Sequence, residues 1–366
     1  MSKHIFIIIW FAIITIIGRT TNVYQIEYVM GKKEYRVNII FAFIAVFPLI
    51  WIAGTRTSFV DTGSYIQIFN AAPNTFEELP TYLETMKKDT GFWLLGALIR
   101  IIISKDSVVY LSILAFIHGI IVMSVYRKYS VSFFTALFLF VASTDYLSWM
   151  HNGIRQFTAV VIIFAATPLM LKKKYVPLII IILFASLIHG SALLMIPIVF
   201  IVQGKPWNNR TVLAVIAVVI AIAFVGKFTD ILDKLLSDTQ YTNVVTDWQA
   251  MEDDGTNIIR VLVYSIPTIL SIIGYKYIKD ANDPVINLAC NMSIVSTAIY
   301  CLSAMTSGIF VGRLPIYCSL YGTGILLPWE VENIFTKDSA KIIQILMIGA
   351  YLVFYYYQTH FIWGII

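Results

Sequence analysis

Apolar runs recur along the whole chain, at 5–18, 37–53, 91–103, 107–126, 131–142, 157–171, 175–202, 211–225, 258–278, 285–304, 314–327 and 342–366, with no soluble domain between them. Nothing else in the sequence constrains the fold as strongly. A water-soluble core cannot bury so many runs: 59% of the 366 residues are hydrophobic, against roughly 45–50% in ordinary globular proteins. Only 13% are charged, and mean hydropathy is +0.81. Most side chains therefore face lipid. At about 20 residues per crossing plus a short loop, the chain holds roughly ten to twelve membrane segments. The fold class is all-α, a polytopic integral membrane helix bundle with one domain over 1–366. A soluble enzyme with a single anchor is excluded. The first run has no small-residue cleavage site after it and reads as a retained helix.

Charge orients the helices. Lys32, Lys33 and Arg36, then Arg127 and Lys128, Lys172 to Lys174, Lys205 and Arg210, and Lys276 and Lys279 mark cytoplasmic turns under the positive-inside rule. Two longer linkers, 55–90 and 229–257, then face outward, and the second is acidic. The net charge of +5 is scattered among apolar runs, which argues against nucleic acid as a partner. Cys290, Cys301 and Cys318 sit inside apolar stretches as small hydrophobes, so neither a disulfide nor a zinc framework is implied. No HExxH, CxxC, Asp-x-Asp, Walker or dinucleotide glycine pattern is present. No metal and no cofactor is expected, and the energy for a reaction has to arrive with the substrate.

Parity sharpens the middle of the chain. If Lys174 and Lys205 are both cytoplasmic, residues 175–202 must cross an even number of times in 28 residues. Two short helices or a re-entrant hairpin turning near His189, Gly190 and Ser191 satisfy this. Non-helical backbone at that depth requires burial in protein or a wet cavity. The same arithmetic fails between Thr90 and Arg127, where two apolar runs should join opposite sides. An interfacial run 91–103 is one resolution, and the sequence does not choose.

Four places carry chemistry. The stretch 54–69 leaves the second helix on the outer side with Arg56, a fixed cation whose planar fork suits phosphate oxygens, and Asp61, a carboxylate able to deprotonate a hydroxyl. The plainer reading makes Asp61 the N-cap of a helix beginning near Gly63. Arg155, in Asn152-Gly-Ile-Arg-Gln156, opens a helix at the end where the macrodipole disfavours a cation. Its plainer role is to snorkel to headgroups, and a bound anion is the stronger explanation. His189 lies where an ionisable side chain costs a few kcal/mol unless paired or hydrated. Arg313, before Tyr317, also begins a helix.

With these residues the chain resembles the EpsG family of bacterial polysaccharide proteins, related to Wzy-type repeat-unit polymerases. The family pattern of Arg, Gly-x-Asp, Tyr and Phe is met by Arg56, Asp61, Tyr65 and Phe69. Arg-Gln at a helix start is met by Arg155 and Gln156, the mid-span His with small residues by His189 and Ser191, and the late Arg and Tyr by Arg313 and Tyr317. Phe59 and Val60 stand where the pattern has Gly-x, so its Gly is absent before Asp61. The resemblance implies a GT-C-like membrane glycosyltransferase in the bacterial cytoplasmic (inner) membrane, acting on the outer leaflet without a metal. It would join undecaprenyl-diphosphate-linked oligosaccharide donor and acceptor units into capsular, exo- or O-antigen polysaccharide, alongside a chain-length regulator and a flippase. It assigns diphosphate binding to Arg56, Arg155 and Arg313, the catalytic base to Asp61 with His189 in reserve, and substrate contacts to Tyr65, Gln156 and Tyr317. An O-antigen-ligase-like transferase would use the same groups on the same side. A transporter or flippase of lipid-linked sugars would use outer-face arginines to bind anionic headgroups and broken helices to line a pathway, but no clear inverted repeat is present and the arginines cluster near one face.

Overall fold

In the computed structural model, residues 2–224, Ile231, Lys234 and 255–366 are described. The acidic linker 229–257 falls almost wholly outside them. The described chain is helical apart from one β-hairpin, and it divides into two compact units, Met1–Leu193 with Ile343–Ile366, and Leu194–Ile342.

The first unit is organised by two helices, α1 (Ile39–Gly54) and α2 (Ser107–Tyr129). They run antiparallel in close contact because two glycines leave room. A Cβ on Gly54 would lie 2.8 Å from the Ser112 backbone, and one on Gly119 would lie 2.4 Å from Ile50. Small residues at such crossings let backbones approach, which in lipid supplies the packing that hydrophobicity cannot. At 1.5 Å per residue α2 is about 35 Å long, enough to cross a bilayer core. The pair therefore has two well-separated ends.

One end is closed by the hairpin, β1 (Tyr24–Val29) and β2 (Lys32–Val37), paired antiparallel from Tyr24↔Val37 to Val29↔Lys32. Sequence reading missed it, since Lys32, Lys33 and Arg36 read only as a basic turn. Arg127 at the end of α2 holds it through an ion pair to Glu27 and a hydrogen bond to the Val37 carbonyl. Arg36 donates to the Ser130 carbonyl at 3.0 Å. Next to α2 runs α3 (Ile154–Ala165), parallel to it, with His118 against Thr158 at 2.9 Å and Tyr126 against Phe164 at 5.6 Å between centroids. The helix α4 (Tyr175–Ile188) packs on α3 and runs back. The basic clusters at 32–36, 127–128 and 172–174 thus gather at the hairpin end, as charge bias predicts of residues on one side.

At the other end lie Arg56, the start of α3 and the end of α4. The segment 91–103, formed by α5 (Thr90–Leu98) and a π-helical turn (Ile99–Ile103), stays there. Asp89 before it contacts Gly190, and Arg100 near its end lies over the Phe69 ring at 5.5 Å. Because both ends of the segment remain at the Arg56 end, it does not cross, and the parity conflict between Thr90 and Arg127 disappears.

The expected ten to twelve membrane segments are not all long helices. Among the described residues four are long and apolar enough to span, Lys3–Thr20, Ser107–Tyr129, Pro284–Ala304 and Lys337–Ile362. The count reaches six if the bent pairs Phe133–Ala142 with Tyr146–Asn152 and Ile258–Ile273 with Tyr275–Ala281 each count once. The other apolar runs form shorter helices, interrupted at such points as Pro168 and His189. Residues 175–202 do form two short helices, Tyr175–Ile188 and Met195–Ile201, joined by a 3₁₀ turn, with the chain passing into the second unit at Leu194. That unit is built around Pro284–Ala304, packed by Ile258–Ile273 and Ile316–Tyr321.

The two ends of α1 and α2 make a direct test. In sealed vesicles, Lys33→Cys and Thr57→Cys should react with an impermeant maleimide from opposite faces. Labelling of both from one face would contradict the arrangement.

Candidate functional site

Arg56 follows α1 in a tight turn and is only 5% exposed. Its Nε donates to Thr62 Oγ1 at 3.0 Å and one terminal nitrogen donates to the Ala53 carbonyl. The other, Nη2, is buried with no partner, and no carboxylate pairs with this guanidinium among the described residues. Burial pulls its pKa down to about 10, partly countered by the hydroxyls of Tyr146, Tyr110 and Tyr65, so it stays charged at neutral pH. A buried charge with no counter-ion costs several kcal/mol. Among the described residues that cost is met only by neutral groups, the Thr62 hydroxyl, the Ala53 carbonyl and the nearby tyrosine hydroxyls.

The turn that holds Arg56 rests on the chain leading into α3. Thr62 donates to the His151 carbonyl at 3.5 Å, and the Asp61 N–H donates to Asn152 Oδ1 at 3.3 Å. Three residues beyond Asn152 stands Arg155. Its Nε lies 3.1 Å from Asp89 Oδ2, an ion-pair contact without hydrogen-bond alignment, and its guanidinium lies 5.5 Å from the Trp93 ring centre. The side chain is one-third exposed, and its terminal nitrogens have no hydrogen-bond partner among the described residues. The Asp61 N–H on Asn152 and the short step from Asn152 to Arg155 put the Arg56 turn and Arg155 at the same end of the unit.

Asp89 joins these parts. Its Oδ1 accepts the Gly190 N–H at 3.2 Å while Oδ2 faces Arg155, and the side chain is 5% exposed. The same carboxylate therefore ties the outer linker, the start of α3 and the break after α4. In that break His189 takes an extended conformation, and its Nδ1 faces Ser191 Oγ at 2.7 Å and accepts the Ser191 N–H at 3.4 Å, which puts the neutral ring's proton on Nε2. Sequence reading passed over Asp89, because Asp-Thr-Gly before an apolar run reads as an ordinary helix cap.

Neither aspartate caps. Asp106 and Asp283, also standing before α-helices, each accept a first-turn N–H. Asp61 precedes a helix that begins at Thr62, yet makes no cap bond, and its half-buried carboxylate has no partner among the described residues. Asp89 has φ 54° and makes no cap bond either. A side-chain cap is worth about 1 kcal/mol, which both helices forgo: the Asp61 carboxylate makes no bond among the described residues, and that of Asp89 is engaged by Gly190 and Arg155 instead. The cap reading of Asp61 is thus corrected. Val60, directly before Asp61, has φ 37°, a left-handed conformation costly for a β-branched residue.

The other expected contacts divide. Tyr65 is buried with its ring edge-on to Phe92 at 6.1 Å, and Gln156 is buried beside Arg155. Phe69 stacks on Tyr110 at 4.4 Å. Arg313 and Tyr317 belong to the second unit, where Arg313 is exposed and Tyr317 is buried. No group of three or more His, Cys, Asp or Glu able to hold a metal occurs among the described residues.

These features define a multi-pass helical membrane protein with two cations and two uncapping carboxylates at one end of its first unit. The EpsG family model matches residues 39–363, and the chain belongs to the EpsG family, whose role lies in membrane polysaccharide synthesis. No curated protein and no solved structure matches the chain.

Two substitutions test the local energetics by thermal unfolding in detergent. Asp89→Ala should destabilise by about 2 kcal/mol, through loss of the Gly190 bond and the Arg155 pair. Val60→Gly should stabilise by roughly 0.5–1 kcal/mol, because the left-handed penalty of about 1–2 kcal/mol exceeds the entropy glycine adds to the unfolded chain. An unchanged midpoint in either would refute the corresponding account.

Proposed function

We propose that this protein is a membrane glycosyltransferase that polymerises undecaprenyl-diphosphate-linked oligosaccharide repeat units on the outer leaflet of the bacterial cytoplasmic membrane. The observation that carries the reading is Arg56, a buried guanidinium with no carboxylate partner among the described residues, whose unpartnered Nη2 suits a phosphate oxygen. Arg155, with free terminal nitrogens at the same end of the unit, supplies the second cation.

The chemistry follows from charge. The acceptor hydroxyl attacks the anomeric carbon of the donor sugar, the bond to the diphosphate oxygen breaks, and its electron pair leaves with undecaprenyl diphosphate. Negative charge grows on that leaving group. Cations fixed where it grows bind the transition state better than the ground state. The proton passes from the acceptor hydroxyl to Asp61, whose carboxylate is uncommitted beside the Arg56 turn. His189, oriented by Ser191, sits across Asp89 from Arg155 and serves acceptor orientation. A flippase would use the arginines, but the uncommitted carboxylate beside them favours transfer over transport.

The test uses protein reconstituted in lipid with undecaprenyl-diphosphate repeat units. Arg56→Ala and Arg155→Ala should remain folded and lose chain growth by about 10²-fold or more, while Arg56→Lys, which keeps charge but not the fork, recovers part of it. Ladders from both alanine variants at the wild-type rate would reject the assignment. Movement of single units across the membrane with no ladder from the wild type would assign transport instead.

A further inference from the structure

A cavity of about 560 Å³ opens beside the turn that carries Asp61. It lies within the first unit, lined by Lys3, His4, Ser58, Phe59, Val60 and Trp363 among others, and its volume is that of a small-ligand site. The Phe59 and Trp363 rings meet edge to face at 5.7 Å, and Phe59 rests in turn on the His151 ring at 5.5 Å. His4 Nδ1 is buried there with no partner. Arg56, Arg155, Asp89 and His189 do not line it, so the cavity and the cations are separate features flanking one turn.

The lining says what would fit. A phosphate calls for several converging cations, and among the lining residues Lys3 is the one Lys or Arg, set beside two aromatic rings. An acyl chain calls for an apolar wall without an ammonium, an imidazole and a hydroxyl. Aromatic rings among scattered donors and acceptors suit a saccharide, which presents C–H faces to the rings and hydroxyls to the polar groups. Val60 lines the cavity and Asp61 is the next residue. Asp61 itself does not line it, and a sugar held there lies next to the turn that carries the carboxylate.

We infer that this cavity is the acceptor subsite, holding the sugar whose hydroxyl Asp61 deprotonates while the donor's diphosphate lies on Arg56 and Arg155. The inference rests on the polymerase reading and assigns one half of its substrate to a place of its own. It gives Phe59 and Trp363 the stacking role and Ser58, Lys3 and His4 the polar contacts.

Ser58 is exposed and lines the cavity, so Ser58→Cys offers a reporter independent of turnover. Maleimide labelling of Ser58→Cys protein is followed with two probes: the repeat-unit oligosaccharide freed of its lipid diphosphate, and undecaprenyl diphosphate without sugar. The oligosaccharide should slow labelling several-fold and the lipid diphosphate should not. Adding Trp363→Ala should abolish the protection, and Trp363→Phe should restore part of it. Protection by the lipid diphosphate alone, or by neither probe, would overturn the acceptor assignment. Ladder formation by the unmodified protein is measured in parallel. A polymerase with no oligosaccharide protection sinks only the cavity's role, whereas protection without any ladder sinks the polymerase reading.

Discussion

An arginine buried without a carboxylate is the interaction on which the rest of this site turns. Arg56 is fixed by Thr62 and by the Ala53 carbonyl, and its last nitrogen points at nothing the described protein supplies. Neutral acceptors hold a guanidinium in place but leave its charge uncompensated, and in a low-dielectric setting that charge is strongly attractive to an anion. A permanent partner such as a neighbouring Glu would stabilise the fold and disable the site. Fixing geometry with neutral groups, while leaving charge free, keeps the cation available to whatever brings the negative charge.

Separating the two charged ends is the work of α1 and α2. Their glycines allow a close antiparallel crossing, and the length of α2 keeps Arg127 far from Arg56. At the hairpin end every buried arginine is answered: Arg127 by Glu27 and a carbonyl, and Arg36 by Glu34 and the Ser130 carbonyl. The contrast within a single unit is informative. Arg127 and Arg36 have acidic partners, and Arg56 has none among the described residues.

Much of this was legible from residue types alone. Periodic apolar runs give a helical membrane protein, and the basic turns correctly group 32–36 with 127–128 and 172–174, because charge bias acts on whole segments and is insensitive to detail. Arg56, Arg155 and His189 came out on a common end for the same reason. The hairpin was not legible, since Tyr24–Val37 carries few turn signals beyond Met30-Gly31 and lies between two strongly apolar runs. Several of the expected membrane segments are short or broken helices, because hydropathy sums composition and does not see where Pro168 or the His189 break ends a helix. Asp89 escaped because its partners, Arg155 and Gly190, are 66 and 101 residues away in sequence, and only the fold brings them together.

The site also shows where local rules are broken and why. Asp61 and Asp89 stand where a cap would stabilise their helices, and neither makes one, while Val60 and Asp89 both occupy left-handed backbone. Each departure costs of order 1 kcal/mol. Departures of this kind survive where surrounding structure fixes the conformation, and here it does so visibly: Asn152 holds the Asp61 N–H, His151 holds Thr62, and Gly190 holds Asp89. Left-handed residues elsewhere, such as Met30 and Lys173, serve plain turns, so a positive φ alone identifies nothing. The coincidence of strain, withheld caps and an unanswered cation within one turn is a different matter. Three unfavourable local choices stand together in this stretch, and a site that must present free charge and a free carboxylate to a substrate accounts for all three.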